Sequence, residues 1–164
     1  MQTRRSFLTA FIASLSLLAT ASLSAPVGAG EPRVKLAVVV AKDSPVTDIS
    51  IYELKRLYLG ERINAAGKRL VPFNLAPLSR ERSGFDKTVL GMSPDAIARY
   101  WVDRKIRGES GPPKTVEPAD VLQRVVVKLD GAVGYTPLNE MRPDVKAIRI
   151  DGKGPNDPGY PLEF

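Results

Sequence analysis

Apolar residues recur in four short runs that have the composition or the two-residue alternation of β-strands. Residues 34–41 (VKLAVVVA) are rich in β-branched side chains and predict a buried strand, and residues 70–75 predict a second one. Residues 132–136 (AVGYT) predict a short third strand, and residues 145–150 alternate as a fourth. Since turn-forming residues bound these runs, we expect a sheet built from short strands.

Between the predicted strands, apolar residues recur at helical spacing. Ser50 and Glu53 fit a capping box that begins a helix ending near Gly60, and Ser93 followed by Pro94 is a second strong helix start. The apolar positions expected to face inward from four predicted helices are Ile51, Leu54, Leu57, Tyr58, Phe85, Val89, Leu90, Ile97, Tyr100, Trp101, Ile106, Val121, Leu122, Val125 and Val126.

Strands and helices alternate along the chain with short connections. This order favours a mixed-sheet, layered α/β domain over a helical bundle or a β-sandwich. No internal repeat or linker divides residues 30–164, so we expect them to form a single domain. The segment from about residue 151 to the C-terminus is rich in Gly, Pro and Asp, which predicts a loose tail.

The N-terminal residues 1–29 have the pattern of a signal peptide. A basic start is followed by an uncharged run of apolar and small residues, and Val27 and Ala29 place small side chains before a cut after Ala29. The paired Arg4 and Arg5, followed by Phe-Leu, resemble a twin-arginine export signal, with an ordinary Sec signal as the alternative. We therefore expect a periplasmic protein, with no stable membrane span once the signal is removed.

Composition excludes several kinds of chemistry. The chain has no cysteine and no histidine, so disulfides, thiolate chemistry and the commonest general base are all excluded. No pair of acids has a spacing that demands acid–base catalysis, and we expect no enzymatic activity, no cofactor and no metal site. The net charge is +6, of which Arg4 and Arg5 contribute two, so the mature part favours an anionic partner. No long basic run is present, and nucleic acid is not an expected ligand.

Three motifs in order resemble the phosphate ABC transporter substrate-binding proteins, a family of type II periplasmic binding proteins. They are Leu57-Tyr58-Leu59-Gly60, then Ser83-Gly84 after Val71-Pro72-Phe73, and then Gly131-Ala132-Val133-Gly134-Tyr135. The resemblance implies a two-lobed clamp that holds its ligand in the cleft between the lobes. The matching stretch resembles only one lobe of that clamp.

The resemblance also implies where an anion would bind. In the family, an Arg-x-x-x-Ser-Gly-Thr loop cradles phosphate, and Ser83 and Gly84 match its Ser-Gly. Ser79 stands where the family has arginine, and Phe85 where it has threonine. Independently of the family, Ser-Gly at a first helical turn offers backbone amides to an anion, and nearby arginines add charge. The candidate anion-binding residues are Ser79, Arg80, Arg82, Ser83 and Gly84.

The same residues also allow a purely structural role, in which Ser79 or Ser83 caps the helix and the arginines are solvated. Two functions therefore stay open. The first is a periplasmic domain that binds phosphate or a similar oxyanion, as the substrate-binding component of an ABC transporter with a permease as partner. The second is a protein–protein interaction module that keeps the lobe fold and docks another periplasmic protein or a second copy.

Overall fold

The computed structural model describes residues 33–164. The predicted signal peptide, residues 1–29, and its cut after Ala29 lie outside the described residues. Within residues 33–164, none of the helices combines the length and the apolar character that crossing a bilayer requires.

The centre of the described chain is a five-stranded mixed sheet with the strand order β6-β5-β7-β1-β8. Its strands are β1 (Leu36–Ala41), β5 (Val71–Asn74), β6 (Lys114–Thr115), β7 (Ala132–Pro137) and β8 (Val145–Ala147). Strand β5 is parallel to both β6 and β7, whereas β1 is antiparallel to β7 and β8. Two small two-stranded pairs join β2 (Asp48–Ile49) to β9 (Arg149–Ile150) and β3 (Asn64–Ala65) to β4 (Lys68–Arg69).

The described chain has four α-helices, of which the first three begin after a serine N-cap and the last follows Pro118 without a side-chain cap. They are α1 (Ile51–Tyr58), α2 (Arg80–Phe85), α3 (Pro94–Ile106) and α4 (Ala119–Lys128), and a π-helical segment, Asp86–Leu90, continues α2. Ser50 and Glu53 form the expected capping box, and Ser93 Oγ accepts from the Ala96 amide with Pro94 at the first helical position. These side chains satisfy amides that lack intrahelical partners, so local chemistry fixes where α1 and α3 begin.

Successive residues of β7 face opposite sides of the sheet, and helices pack against both sides. The side of Gly134 faces Leu122 and Val126 of α4, so close that a Cβ atom there would lie 2.2 Å from a Leu122 methyl carbon. The opposite side carries Tyr135, whose ring stacks on Phe85 of α2 with a centroid distance of 4.0 Å and also neighbours Tyr58 of α1. Helices therefore cover both faces of a mixed sheet, which confirms the predicted α/β class.

One position on α3 is predicted wrongly. Ile106 is 78% exposed, while Ile97 is buried and Tyr100 and Trp101 are half-buried. Nine residues are two and a half helical turns, so Ile106 lies on the face opposite Ile97. The inward position in the last turns of α3 belongs instead to Arg104, whose Nη1 donates to the Leu59 carbonyl at 3.0 Å.

The last part of the C-terminal segment, residues 160–164, is packed and not loose, whereas residues 151–159 are mostly exposed. Tyr160 and Leu162 are buried, and the backbone pairs with the start of β1: the amides of Val34 and Leu36 donate to the carbonyls of Phe164 and Leu162 at 2.7 and 2.9 Å. The segment thereby adds pairing to the edge of β1 that β8 leaves open. The predicted strand 145–150 is also divided, since β8 belongs to the main sheet and β9 to a small pair.

Candidate functional site

The order of the strands indicates that ligands would bind at the carboxyl ends of the parallel strands. The chain leaves the carboxyl end of β5 through α2 towards β6 on one side, whereas it leaves the carboxyl end of β7 through the turn Leu138–Glu140 towards β8 on the other side. The carboxyl ends of the neighbouring strands β5 and β7 therefore form a topological switch point. Ligands of open α/β sheets bind at such points, because the loops leave in opposite directions and open a crevice.

A cavity of about 550 Å³, here called the switch-point cavity, lies beside the carboxyl end of β7. The chain preceding β1 contributes Arg33 and Lys35, and the first turn of α2 contributes Arg80 and Glu81. The 3₁₀ turn after β7, Leu138–Glu140, forms the remaining wall. Three cationic side chains from two distant parts of the sequence thus meet at one concave surface.

An acid from the C-terminal segment competes for two of these cations. Glu163 lies 3.5 Å from Lys35 and 3.8 Å from Arg33, so one carboxylate is shared between two positive charges. Glu81 and Glu140 also line the cavity. An anion entering the cavity would compete with the Glu163 carboxylate for Lys35.

Two buried polar side chains fix the chain where β7 and β5 end. Gln123 of α4 donates through Nε2 to the Glu140 carbonyl at 3.0 Å and accepts through Oε1 from the Arg142 amide at 2.7 Å. Tyr135 Oη donates to Asn74 Oδ1 at 3.2 Å and accepts from the Leu75 amide at 3.4 Å, and burial raises the pKa of the Tyr135 phenol. The turn after β7, which is a wall of the cavity, and the carboxyl end of β5 are therefore anchored to the core.

The five residues proposed from the sequence do not converge on one pocket. Arg80 lines the switch-point cavity, while Arg82 and Ser83 line a separate cavity of about 260 Å³ on the other flank of α2. Ser79 is the N-cap of α2 and accepts through Oγ from the Arg82 amide at 3.1 Å. The capping role of Ser79 is thus the one that the geometry supports.

Arg82 forms an ion pair with Asp86, one helical turn further along the chain. Its Nε donates to Asp86 Oδ2 at 2.7 Å, and both side chains are about nine-tenths buried. Burial raises the pKa of the Asp86 carboxyl, and the charge of Arg82 only partly offsets that rise. Because breaking a buried pair leaves an uncompensated charge, Arg82 is poorly placed to serve a ligand.

Gly84 is covered by the end of the chain. A Cβ atom at Gly84 would lie 1.9 Å from the Phe164 ring, so the aromatic ring rests directly on the glycine backbone. Phe164 therefore blocks the close approach of a ligand to the Gly84 backbone on this side. Sequence reasoning missed Arg33, Lys35 and the turn after β7 as cavity residues, since only the antiparallel pairing of β1 with β7 brings them to α2.

Comparison with known proteins gives a fold likeness and no sequence match. No protein-family model matches the chain, and no curated protein matches it significantly. An ABC-type phosphate transport receptor from Vibrio cholerae has a TM-score of 0.62 at 20% identity, over 80% of this chain and 54% of its own. PstS from Borrelia burgdorferi has a TM-score of 0.58 at 13% identity, over 80% and 55%.

A third similar structure comes from Clostridium perfringens and belongs to a phosphate ABC transporter substrate-binding type of protein, solved with bound phosphate. Its TM-score is 0.58 at 18% identity, over 73% of this chain and 46% of the other. The described chain therefore spans about half the length of these proteins, and its fold matches one lobe of a periplasmic binding protein.

Proposed function

We propose that this protein is an exported oxyanion-binding domain that takes phosphate or a similar anion in the switch-point cavity. The observation that carries the proposal is that Arg80, in the first turn of α2, and Lys35 line one cavity beside the carboxyl end of β7. The proposed site keeps Arg80 from the sequence-derived set and adds Lys35. Ser79 acts as the cap that fixes where α2 begins, and Gly84 lies outside the ligand surface.

Physical chemistry supports an anion at this place. Guanidinium and ammonium groups form charge-assisted hydrogen bonds to phosphate oxygens that are about twice as strong as neutral ones. The first amides of a helix, including that of Glu81, also point out of its N-terminal end and favour negative charge. A cavity of about 550 Å³ leaves room for a tetrahedral anion with bound water.

The proposal is tested by titrating folded protein with inorganic phosphate in a calorimeter. Arg80→Gln and Lys35→Gln should each weaken binding by about tenfold, equivalent to about 1.4 kcal/mol. Glu163→Gln should strengthen it, because the competing carboxylate is removed from Lys35. The matched control is Arg99→Gln, an exposed arginine of α3 outside this cavity, which should leave affinity unchanged. Absence of binding at millimolar phosphate would refute the site.

We place this binding activity in the periplasm, with the signal at residues 1–29 as its export route, twin-arginine in type. The structural neighbours are binding proteins, which favours a binding role over an enzymatic one. By analogy with those neighbours, the protein would hand its anion to an ABC permease. Since the chain spans about half the length of the neighbours, the permease partnership is a separate proposal from anion binding.

A second candidate function, docking of another protein, is favoured by Leu78. This residue precedes α2 in a left-handed backbone conformation (φ +67°) and is 79% exposed, beside the cavity that Ile97 and Trp101 line. Holding a branched apolar side chain exposed to water in that conformation costs free energy. A partner that covered the side chain would offset this cost.

If Leu78 anchors a second copy, size-exclusion chromatography with light scattering should detect a dimer that Leu78→Ser abolishes. Ile106→Ser is the matched control, because Ile106 is 78% exposed on α3 and lines none of these cavities. A monomer at every concentration, or equal loss with both substitutions, would exclude a Leu78-centred dimer.

A further inference from the structure

A larger cavity of about 680 Å³ lies near the amino end of β5, where the parallel strands begin. It shares no residue with the switch-point cavity at the carboxyl ends of the strands. Its apolar surface is contributed by Leu57, Leu70, Val71, Pro72, Phe73 and Leu129. The volume falls within the range of about 300–1,000 Å³ that is typical of small-molecule sites.

The charged rim of this amino-end cavity is positive. Arg62, Arg69 and Lys114 line it, are exposed, and have no ion-pair partner among residues 33–164. Its two acids are already engaged in ion pairs. Glu61 pairs with Arg56 at 2.6 Å, and Glu109 pairs with Arg104 at 3.0 Å and with Arg107 at 2.8 Å. The uncompensated charges at the rim are therefore the three cations.

The cavity is held open by Arg104, which ties three parts of the chain together. Its Nη1 donates to the Leu59 carbonyl at 3.0 Å, and its Nη2 lies 3.4 Å from Ser110 Oγ, which donates to the Gly60 carbonyl at 3.4 Å. Its guanidinium also lies 5.7 Å from the Tyr100 and Trp101 ring centroids. The loop 109–113 is thus fixed against the end of α1, and the cavity is preformed.

The adjoining sheet edge is poorly suited to adding a peptide strand. Strand β6 contains only two residues, and β5 carries Pro72 beside them. The Val71 amide donates to the Gly131 carbonyl on the β7 side, so the position of Pro72 faces the β6 side. Proline has no amide hydrogen, and the edge therefore lacks the donor that a new strand would need. This favours a small molecule over an extended peptide as the occupant.

We propose that the amino-end cavity binds a small amphipathic anion, a carboxylate with an aliphatic or aromatic body. The apolar side chains around Leu70 and Phe73 remove the body from water, and this burial supplies most of the affinity. Arg69, Arg62 and Lys114 receive the carboxylate at the rim, where an arginine forms paired hydrogen bonds with both oxygens. The combination of an apolar floor with unpaired cations at the rim selects anions over neutral or cationic amphiphiles.

Decanoate, at concentrations below those at which it forms micelles, is the probe that tests this site by calorimetry. Arg69→Gln is expected to weaken decanoate binding by about tenfold, and Val71→Asp, a substitution at a partly exposed position, by at least as much. Arg99→Gln is the charge-matched control and should have no effect. Decyltrimethylammonium, with a chain of the same length and a positive head, should not bind.

The proposal is overturned if decanoate does not bind folded protein, if decyltrimethylammonium binds equally well, or if Arg69→Gln and Arg99→Gln have the same effect. Association with anionic vesicles in place of monomeric decanoate would also overturn it, in favour of a membrane surface as the partner. The result is independent of phosphate binding, since Arg80→Gln should leave decanoate affinity unchanged.

Discussion

Gly131→Ala is expected to lower the free energy of unfolding by about 3 kcal/mol or more, the sum of a backbone cost and a steric one. Gly131 has φ +72°, where a side chain is strained, and a Cβ atom there would lie 2.1 Å from the Arg69 carbonyl oxygen. That obstacle is backbone and cannot rotate away. The Gly131 carbonyl also accepts from the Val71 amide at 2.9 Å, so displacement would disturb the pairing of β5 with β7.

Gly67→Ala separates these two costs. Gly67 has nearly the same backbone conformation, φ +76°, with no atom near the position of the added methyl group. It should therefore show only the backbone cost, about 1–2 kcal/mol. Urea unfolding of both variants, followed by far-UV circular dichroism, measures the difference. Equal losses for the two substitutions would contradict the close approach of Gly131 to Arg69.

Leu162→Ala is expected to cost about 2–5 kcal/mol, the range for removing a buried leucine side chain. Leu162 is fully buried, and its carbonyl accepts from the Leu36 amide at the start of β1. The C-terminal segment should therefore unfold together with the sheet, in one transition. Thermal unfolding measured by calorimetry gives the loss directly.

Glu163→Gln is the control within the same segment. Its side chain reaches Lys35 at 3.5 Å near the surface, and such exposed pairs contribute about 0–1 kcal/mol. If Leu162→Ala were as mild as Glu163→Gln, the segment would not be part of the core, and the sequence-based expectation of a loose tail would be restored.

Features governed by neighbouring residues were the ones that could be predicted. The capping box of Ser50 and Glu53 and the Ser93-Pro94 start depend on contacts within one helical turn, and both occur as expected. The C-terminal segment was missed because its Gly, Pro and Asp residues outweigh a short alternation of Tyr160, Leu162 and Phe164. Apolar residues that alternate over only three positions indicate a strand weakly. The sequence does not show which strand of the sheet has an open edge to pair with.

The candidate site was predicted only in part. Whether its side chains meet depends on their angular positions around a helix and on which distant strands pair. Arg80 and Arg82 are two residues apart, about 200° around a helix, so one helix cannot point both into the same cavity. The separation of Arg80 from Arg82 could be predicted from their spacing in the sequence. The approach of Lys35 to Arg80 was not, since it requires β1 to lie antiparallel beside β7. The cover that Phe164 places on Gly84 depends on the same long-range pairing.

The measurement that tests the central claim most directly is a phosphate titration of ¹⁵N-labelled protein followed by two-dimensional NMR. Saturable shifts should concentrate at the amides of Lys35, Arg80, Glu81 and Asn139, around the switch-point cavity. The amides of Arg69 and Lys114, at the amino-end cavity, should stay in place. Shifts centred on those two residues, or a uniform drift with no saturation, would contradict the account.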